Sequence, residues 1–405
     1  MSVARLAVAR LLAGALAALV IGACSEELGT PGDCPDLCPN ADLPVYDTTL
    51  TAVVDADSSF VGYVARGTNT AILVTTNGFA AQNARGFYQF LRRADSVVVN
   101  DTLRPYTIDS VAFLVGVVGR DTAVKNVQIG LYRLAPTVDT SVSFTALDAA
   151  LTPAALITAV PVPDSVRSGT VRMVLAGDDL QRVALTPADT GVLRVGIGLA
   201  ADAPTGVRLG ALSGGSLASF YLTYVSSIVA DTVVRSTITR GVGAPTYASE
   251  FPDPQPGPGR LVVGGAPSAR ALIRFNLPES IRDSASIVRA RLELETTEPI
   301  RGLPNDDAEV QATGVLIDVG AKSPLITNLT FSDTVQAGQT TRIEIEARRI
   351  VAQWQIGANR PPAIFLSMNP EASTFTLPLI VSTADPARAP RLRIAYVRRY
   401  PFANP

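Results

Sequence analysis

The sequence predicts an all-β protein built from two tandem antiparallel β-sandwiches, and three observations support this prediction. Short runs of β-branched and aromatic residues, such as 71–74, 111–115 and 127–132, recur between turn-forming residues. Helical periodicity is confined to residues 143–156 and 347–355. The strand pattern of the first half returns in the second half. Closely spaced short strands without long helices between them are typical of antiparallel sandwiches.

Five segments of the first half have counterparts in the second half, in the same order. Their offsets stay within roughly 170 to 185 residues, as in a duplicated unit. We therefore expect a tandem duplication; the alternative is a shared strand pattern without common ancestry. The corresponding segments are 84–91 and 269–276, 108–115 and 287–294, 170–175 and 340–345, 193–198 and 363–368, and 220–225 and 392–397.

The N-terminal 24 residues form a separate feature. Arg5 and Arg10 precede an apolar stretch, residues 11–23. This stretch is shorter than the about 20 residues that a spanning helix needs. A basic start, an apolar centre and a small-residue end are typical of a secretory signal. The last four residues, 21–24, read Ile-Gly-Ala-Cys and resemble the lipobox of bacterial lipoproteins.

This resemblance implies that Cys24 is lipidated, with acyl chains such as palmitate, after removal of a signal peptide, residues 1–23. An ordinary secretory signal that ends near a cysteine is the alternative. Ser25 stands where an inner-membrane retention signal usually has Asp, so we expect the outer membrane, on its periplasmic or its surface face. Residues 24–44 contain Gly, Pro and acidic residues and are predicted to be a lipidated flexible tether.

The rest of the chain is predicted to divide near residue 230. We expect the first β-sandwich over residues 45–230 and the second over residues 231–400. Residues 226–234, between the two, have no Gly/Ser-rich run of the kind that makes a linker flexible. The two sandwiches are therefore expected to abut.

The second half, over about residues 232–398, resembles DNRLRE-type domains. The segments that carry this resemblance are 270–277, 290–294, 350–354 and 390–396. The match is weak in the first half, where Trp354 has no aromatic counterpart. DNRLRE-type domains are jelly-roll β-sandwiches similar to carbohydrate-binding modules, found on secreted and surface proteins. The resemblance implies jelly-roll-like sandwiches, with Trp354 in the core, and it supports a fold better than an activity.

The chain of 405 residues contains no histidine. Histidine is the commonest general base and metal ligand, so its absence excludes Ser-His-Asp and Cys-His enzymes. We predict no catalytic residue, no metal and no cofactor. With Cys24 acylated, Cys34 and Cys38 remain, and an oxidising compartment favours a disulfide between them. A bridge to a partner and reduced thiols are the alternatives.

Acidic clusters lie at residues 178–179 and 305–309. We interpret them as solvated turns; calcium binding and glycoside hydrolysis by an acid pair are the alternatives. Neither cluster has the spacing of a known calcium loop. With 34 basic and 36 acidic residues, the chain has a net charge of −2 and shows no basic stripe for nucleic acid.

A sugar-binding face requires exposed aromatic rings, and aromatic residues make up 6% of the chain. We predict ligand contact for Tyr247 and Phe251, which precede a proline-rich segment; Tyr400 and Phe402 are further candidates. Arginines offer a different route, the bidentate pairing of acidic polysaccharide, or else they line the solvated face of strands. These arginines are Arg66, Arg85, Arg270 and Arg274.

Taken together, these features predict a non-catalytic, lipid-anchored cell-envelope protein whose two sandwiches bind a polymer such as polysaccharide. The alternative is a structural or interaction lipoprotein that docks a protein partner in an envelope complex. The expected partners are a membrane, through the anchor, and one of these ligands, and no nucleic acid.

Overall fold

The computed structural model describes residues 44–62, 70–79, 82–211, 217–250, 257, 259–266, 268–304, 306, 308–356 and 360–399. Up to the middle of the chain the strands are β1 (Tyr46–Thr51), β2 (Ser58–Val61), β3 (Ala71–Thr75), β4 (Asn83–Phe90), β5 (Val97–Val99), β6 (Thr102–Arg104), β7 (Thr107–Arg120), β8 (Gln128–Arg133), β9 (Leu156–Pro161), β10 (Gly169–Ala176), β11 (Arg194–Ala200), β12 (Gly206–Gly210) and β13 (Phe220–Val229).

The remaining strands follow without a long helix between them. They are β14 (Thr232–Glu250), β15 (Arg260–Val262), β16 (Gly264–Gly265), β17 (Ser268–Arg274), β18 (Ala285–Glu295), β19 (Ala308–Val315), β20 (Leu325–Val335), β21 (Arg342–Glu346), β22 (Ala363–Asn369), β23 (Leu379–Val381) and β24 (Arg391–Arg398).

Helices are short throughout the described ranges. The α-helices are α1 (Phe144–Ala150), α2 (Glu279–Arg282) and α3 (Arg348–Trp354), and the 3-10 helices are Pro153–Ala155, Gly177–Val183, Pro187–Asp189 and Gly320–Lys322. Helix α1 begins at Ser143, whose side chain accepts a hydrogen bond from the Ala146 N–H. Helices α1 and α3 lie within the two segments for which the sequence predicts helical structure. Within the described ranges, no helix has the length and apolar character needed to cross a membrane.

The first sandwich has a jelly-roll core of eight strands, and β12 and β3 extend its sheet beside β7. One layer has the strand order β10-β7-β13-β14, and the other has the order β14-β4-β11-β8-β9, with antiparallel pairing throughout. Strand β14 belongs to both layers. It pairs with β13 as far as Gly241 and with β4 from Val242 onward.

The second sandwich repeats this order. Its layers are β21-β18-β24-β1 and β2-β17-β22-β19-β20, in which β1 and β2 together take the place of β14. All five predicted correspondences fall on equivalent strands, namely β4 and β17, β7 and β18, β10 and β21, β11 and β22, and β13 and β24. The all-β, antiparallel, jelly-roll prediction is therefore confirmed.

The two sandwiches exchange their first strands. Strands β1 and β2 precede the first sandwich in the chain, yet they pair with β24 and β17 of the second. Strand β14 follows the first sandwich and completes it by pairing with β13 and β4. The division of the chain at residue 230 stays a prediction. Strands β1 and β2, before this residue, pair with strands after it, and β14, after this residue, pairs with strands before it.

A tight turn connects β13 to β14. Val229 pairs with Thr232, so only Ala230 and Asp231 lie in the loop, with φ values of 46° and 63°. Two consecutive residues with positive φ are typical of a type I′ turn, whose twist matches that of a β-hairpin. The chain thus passes from β13 to β14 without a flexible linker.

Each sandwich has its own core between its layers. In the first, Phe90 of β4 meets Tyr221 of β13 edge-on, with ring centroids 4.9 Å apart. In the second, Trp354 is 2% exposed and packs against Phe275, with ring centroids 6.3 Å apart. The prediction that Trp354 is a core residue is therefore confirmed.

Candidate functional site

A groove of about 480 Å³ lies on the outer face of the layer formed by β4, β11, β8 and β9. We call it the tyrosine groove. The residues that define it are Arg85, Gln128, Gly130, Tyr132, Asp148, Leu151 and Gly198.

The alternation of strand β8 sets the orientation of Tyr132. Ile129 and Leu131 are buried in the core of the first sandwich, so Gly130 and Tyr132 face outward. Tyr132 is half-buried, and its partner across the ladder is Gly196 of β11.

Two glycines lie beneath the Tyr132 ring. Gly198 of β11 pairs directly with Gly130 of β8. A Cβ atom on Gly130 would sit 2.8 Å from Tyr132 Cε2, and one on Gly198 would sit 3.3 Å from the same atom. The ring therefore lies across two adjacent backbones that have no side chains, and its other face is turned away from the sheet.

A salt bridge forms the polar wall of the groove. Arg85 Nε lies 2.7 Å from Asp148 Oδ1, and Arg85 also donates to Asn77 Oδ1 and to the Thr75 carbonyl. The Arg85 guanidinium stacks over the Phe144 ring at 5.4 Å. These contacts fix Arg85 and orient Asp148, whose side chain is 45% exposed and whose Oδ2 has no partner among the described residues.

The arrangement suits a ligand with both apolar and hydroxyl-bearing faces. The flat Tyr132 ring and the Leu151 side chain offer apolar contact. The Asp148 carboxylate accepts hydrogen bonds, and the exposed Gln128 amide both donates and accepts. A pyranose presents C–H bonds on one face and hydroxyl groups at its rim, which matches this combination.

Tyr247 is not exposed, which corrects the expectation of a stacking ring at this position. It lies on β14 opposite Gly86, is 5% exposed and belongs to the core of the first sandwich. Burial raises the pKa of its hydroxyl above the ordinary value. The reason is that β14 continues through this position, where the sequence indicates the start of a proline-rich loop. Phe251, its predicted companion, lies outside the described residues.

The described candidate arginines are held by ion pairs and are not free to bind a polymer. Besides Arg85, Arg270 makes a bidentate pair with Glu371, with bonds of 2.6 and 2.7 Å. Arg274 pairs in the same way with Asp318. Arg66 lies outside the described residues.

The acidic clusters have structural partners. Asp179 pairs with Arg182 within the 3-10 helix Gly177–Val183. Asp306 is 8% exposed and pairs with Arg208, and the Glu309 carboxylate accepts from Asn369. Across the described part of the chain, no three acidic or cysteine side chains come together as a metal site. The predictions on catalysis, cofactors and calcium remain predictions.

Several predicted sites lie outside the described residues. They are Cys24, Cys34, Cys38, Tyr400 and Phe402. The lipidation of Cys24 and the disulfide between Cys34 and Cys38 therefore stay predictions.

Sequence reasoning missed Tyr132. One signal was present, because an outward-facing glycine two residues before an aromatic residue leaves room for the ring on a strand. The other glycine beneath the ring, Gly198, lies directly opposite Gly130, and this position depends on strand register. Register is fixed by the folded sheet, so the sequence alone does not indicate it.

Comparisons with known proteins leave the chain without an assigned family. No family model matches it, and no curated protein matches it. The solved structures found include "Structure of infectious bursal disease virus Gx strain", with 13% identity, 88% of this chain and 77% of that chain covered, and a TM-score of 0.14. Another is "The 2.6A structure of Infectious Bursal Virus Derived T=1 Particles", with 11% identity, 89% and 76% coverage, and a TM-score of 0.12.

Proposed function

We propose that this chain is a non-catalytic lipoprotein of the bacterial cell envelope, anchored through Cys24, that binds polysaccharide in the tyrosine groove. The anchor rests on the lipobox-like residues 21–24, and Ser25 favours the outer membrane. The DNRLRE-like second half is of a kind associated with carbohydrate-binding modules.

The observation that carries polysaccharide binding is the position of the Tyr132 ring over Gly130 and Gly198. A ring that rests on bare backbone loses little conformational freedom when a ligand stacks on it, so the stacking contact is largely pre-organised. Asp148, fixed by Arg85, stands beside the ring as a hydrogen-bond acceptor. An open groove with one stacking ring is suited to one or two sugar units of a longer chain.

A binding experiment with a matched variant tests this proposal. Soluble Cys24→Ser protein is titrated against a panel of neutral and acidic polysaccharides by calorimetry. We expect a dissociation constant in the micromolar range for at least one polysaccharide, weakened about tenfold by Tyr132→Ala, since stacking contributes about 1.4 kcal/mol. Tyr224→Ala serves as the control, because Tyr224 is a half-buried tyrosine on β13, outside the groove. No binding at high micromolar concentration, or equal losses in both variants, overturns the proposal.

The anchor is tested separately by metabolic labelling with a radioactive fatty acid. We expect label on the wild-type protein and on Cys34→Ala, and none on Cys24→Ala. Equal labelling of Cys24→Ala and wild type contradicts the anchor and leaves polysaccharide binding standing.

The alternative function, docking of an envelope protein, has one observation in its favour. Two cross-strand pairs expose large apolar side chains: Ile228 with Val233, and Val98 with Leu103. Their exposed fractions are 73%, 59%, 64% and 67%. If this function holds, a stoichiometric partner crosslinked to the wild-type protein in membranes is lost in Ile228→Asp and retained in Tyr132→Ala. If the partner is retained in Ile228→Asp and lost in Tyr132→Ala, the docking function is contradicted.

A further inference from the structure

Three arginines surround a second groove, of about 540 Å³, in the second sandwich. Arg348 and Arg349 begin α3, and Arg399 follows β24. The N-terminal end of β18, at Ser286 and Ile287, forms another side of the groove. We call the region of these three arginines the arginine end.

The arginine end has an excess of positive charge. The side chains that line the groove include three arginines and no carboxylate. The Glu346 carboxylate accepts a hydrogen bond from the Arg348 backbone N–H, and Asp283 pairs with Arg282. Arg348 Nε donates to the Ile287 carbonyl at 3.1 Å, which holds this side chain at the groove.

Two more arginines extend this charge along β18 and β24. Arg289 and Arg393 are exposed and have no ion pair among the described residues. Their neighbours on the same sheet do have one, since Arg291 pairs with Glu344 and Arg342 pairs with Glu293. Arg289 lies near the start of β18, whereas Arg393 lies directly opposite Arg291, in the middle of that strand.

The chain enters the second sandwich beside these residues. Asp47, on β1, lines one groove together with Arg289 and Arg393. Cys24 precedes Asp47 by 23 residues. The proposed anchor is therefore connected to the second sandwich through β1, the strand that lies beside Arg289 and Arg393.

Apolar side chains are exposed at the arginine end. Ile356, which lines the arginine groove, is 71% exposed, and Val288, next to Ile287, is 50% exposed. Apolar side chains beside arginines are typical of surfaces that rest at the headgroup level of a membrane.

We propose that the arginine end rests on an anionic membrane surface, with Arg348, Arg349 and Arg399 paired to lipid phosphates. Guanidinium groups bind phosphate oxygens through charge-assisted hydrogen bonds. Each basic residue near an anionic leaflet strengthens attachment about fivefold, so three arginines contribute about a hundredfold. This inference rests on the proposed anchor, which sets the orientation of the protein on the membrane. The tyrosine groove, which lies on the other sandwich, would then remain free to bind polymer.

The experiment uses the soluble Cys24→Ser protein and sedimentation with vesicles. One set contains equal parts of phosphatidylglycerol and phosphatidylcholine, and the other contains phosphatidylcholine alone. We expect binding to the anionic vesicles only, weakening as salt rises, because salt screens charge at the membrane surface. The triple variant Arg348→Gln/Arg349→Gln/Arg399→Gln is expected to lose about a hundredfold in partitioning.

A matched triple variant controls for net charge. Arg92→Gln/Arg104→Gln/Arg235→Gln removes the same charge from exposed positions of the first sandwich. We expect it to bind like the parent, with the melting temperatures of all three proteins equal. The inference is overturned by any of three results. These are equal binding to neutral and anionic vesicles, equal losses in both triple variants, and binding of these arginines to acidic polysaccharide in place of vesicles. Fatty-acid labelling and the Tyr132 titration use no vesicles. A failure of the proposed function is therefore distinguishable from a failure of this inference.

Discussion

Arg208 on β12 of the first sandwich forms an ion pair with Asp306, which precedes β19 of the second sandwich. Their side chains are 11% and 10% exposed. The other carboxylate oxygen of Asp306 accepts a hydrogen bond from the Thr374 hydroxyl at 3.1 Å. This buried pair, with the Phe79–Phe375 edge contact at 5.3 Å, joins side chains from distant parts of the chain where the two sandwiches meet.

The first prediction concerns this pair. Asp306→Ala leaves the Arg208 charge buried without a partner, and we expect the free energy of unfolding to fall by about 3 to 5 kcal/mol. Asp95→Ala, which breaks the exposed pair with Arg92, is the control and should cost at most about 0.5 kcal/mol. Urea denaturation measures both. Replacement of both partners in Arg208→Met/Asp306→Leu should recover much of the loss, and similar small effects for Asp306 and Asp95 contradict the prediction.

The second prediction follows from the exchange of first strands. Residues 45–230 contain β1 and β2, which belong to the second sandwich, and lack β14, which completes the first. We therefore expect the fragments 45–230 and 231–400 to be unfolded when expressed alone and to assemble when expressed together. Circular dichroism and gel filtration measure this.

A different fragment provides the matched control. Residues 71–250 contain β3 to β14 and so carry every strand of the first sandwich. We expect cooperative unfolding from this fragment. Cooperative folding of isolated 231–400 would count against the exchange.

The repeat was predictable from sequence, and the exchange was not. Inward-facing residues of β4 and β17 recur in the same order because each must fill an equivalent core position. The sequence of β14 has the same β pattern whichever sheet it joins, so its pattern does not select between the two sandwiches. The selection depends on the two-residue turn at Ala230 and Asp231, which folds β14 back onto β13. This turn lacks the Asn-Gly or Asp-Gly signal by which such hairpins are usually predicted.

The third prediction compares two buried tyrosines of the first sandwich. The Tyr88 hydroxyl donates to the Gly210 carbonyl at 2.6 Å and contacts Ser219, whereas the Tyr247 hydroxyl has no hydrogen-bond partner among the described residues. A buried polar group without a partner costs about 1 to 3 kcal/mol. We therefore expect Tyr247→Phe to leave stability unchanged or to raise it by about 1 kcal/mol. Tyr88→Phe should lower it by about 1 kcal/mol. Thermal unfolding measures the two shifts, and a destabilised Tyr247→Phe contradicts the assignment.

The fourth prediction is a dependence of stability on pH. The hydrogen bonds from Arg274 hold the pKa of the Asp318 carboxyl below its ordinary value of 3.8, and burial opposes this effect only in part. A lowered pKa in the folded state means that the charged carboxylate stabilises the fold above the unfolded pKa. That contribution is lost as the pH falls from about 4 through the folded pKa.

Urea denaturation of wild type and Asp318→Asn at a series of pH values tests this dependence. At neutral pH we expect Asp318→Asn to be less stable by about 1 to 2 kcal/mol, and the difference should shrink below about pH 4. Asp283→Asn is the control, because Asp283 is 59% exposed beside Arg282. A difference for Asp318→Asn that does not change with pH would show that the effect is not one of charge.

The fifth prediction separates the position of the Tyr132 ring from its presence. A methyl group on Gly130 would lie 2.8 Å from Tyr132 Cε2 and 3.0 Å from its hydroxyl oxygen, so Gly130→Ala must displace the ring. The displaced atoms are the far end of a side chain at the surface, and the Gly130 backbone does not have a positive φ, so the fold should persist. We expect Gly130→Ala to weaken polysaccharide binding about as much as Tyr132→Ala, roughly tenfold, with a melting temperature close to that of wild type.

Gly119→Ala is the matched control for this variant. Gly119 lies on β7, and the atom nearest to a Cβ placed there would be Asp306 Oδ1, at 3.8 Å. It should bind polysaccharide like wild type. If Gly130→Ala also binds like wild type while Tyr132→Ala does not, the tyrosine contacts the ligand without resting on the glycines. That outcome would contradict the proposal that the affinity of the groove depends on a ring pre-organised by the two glycines.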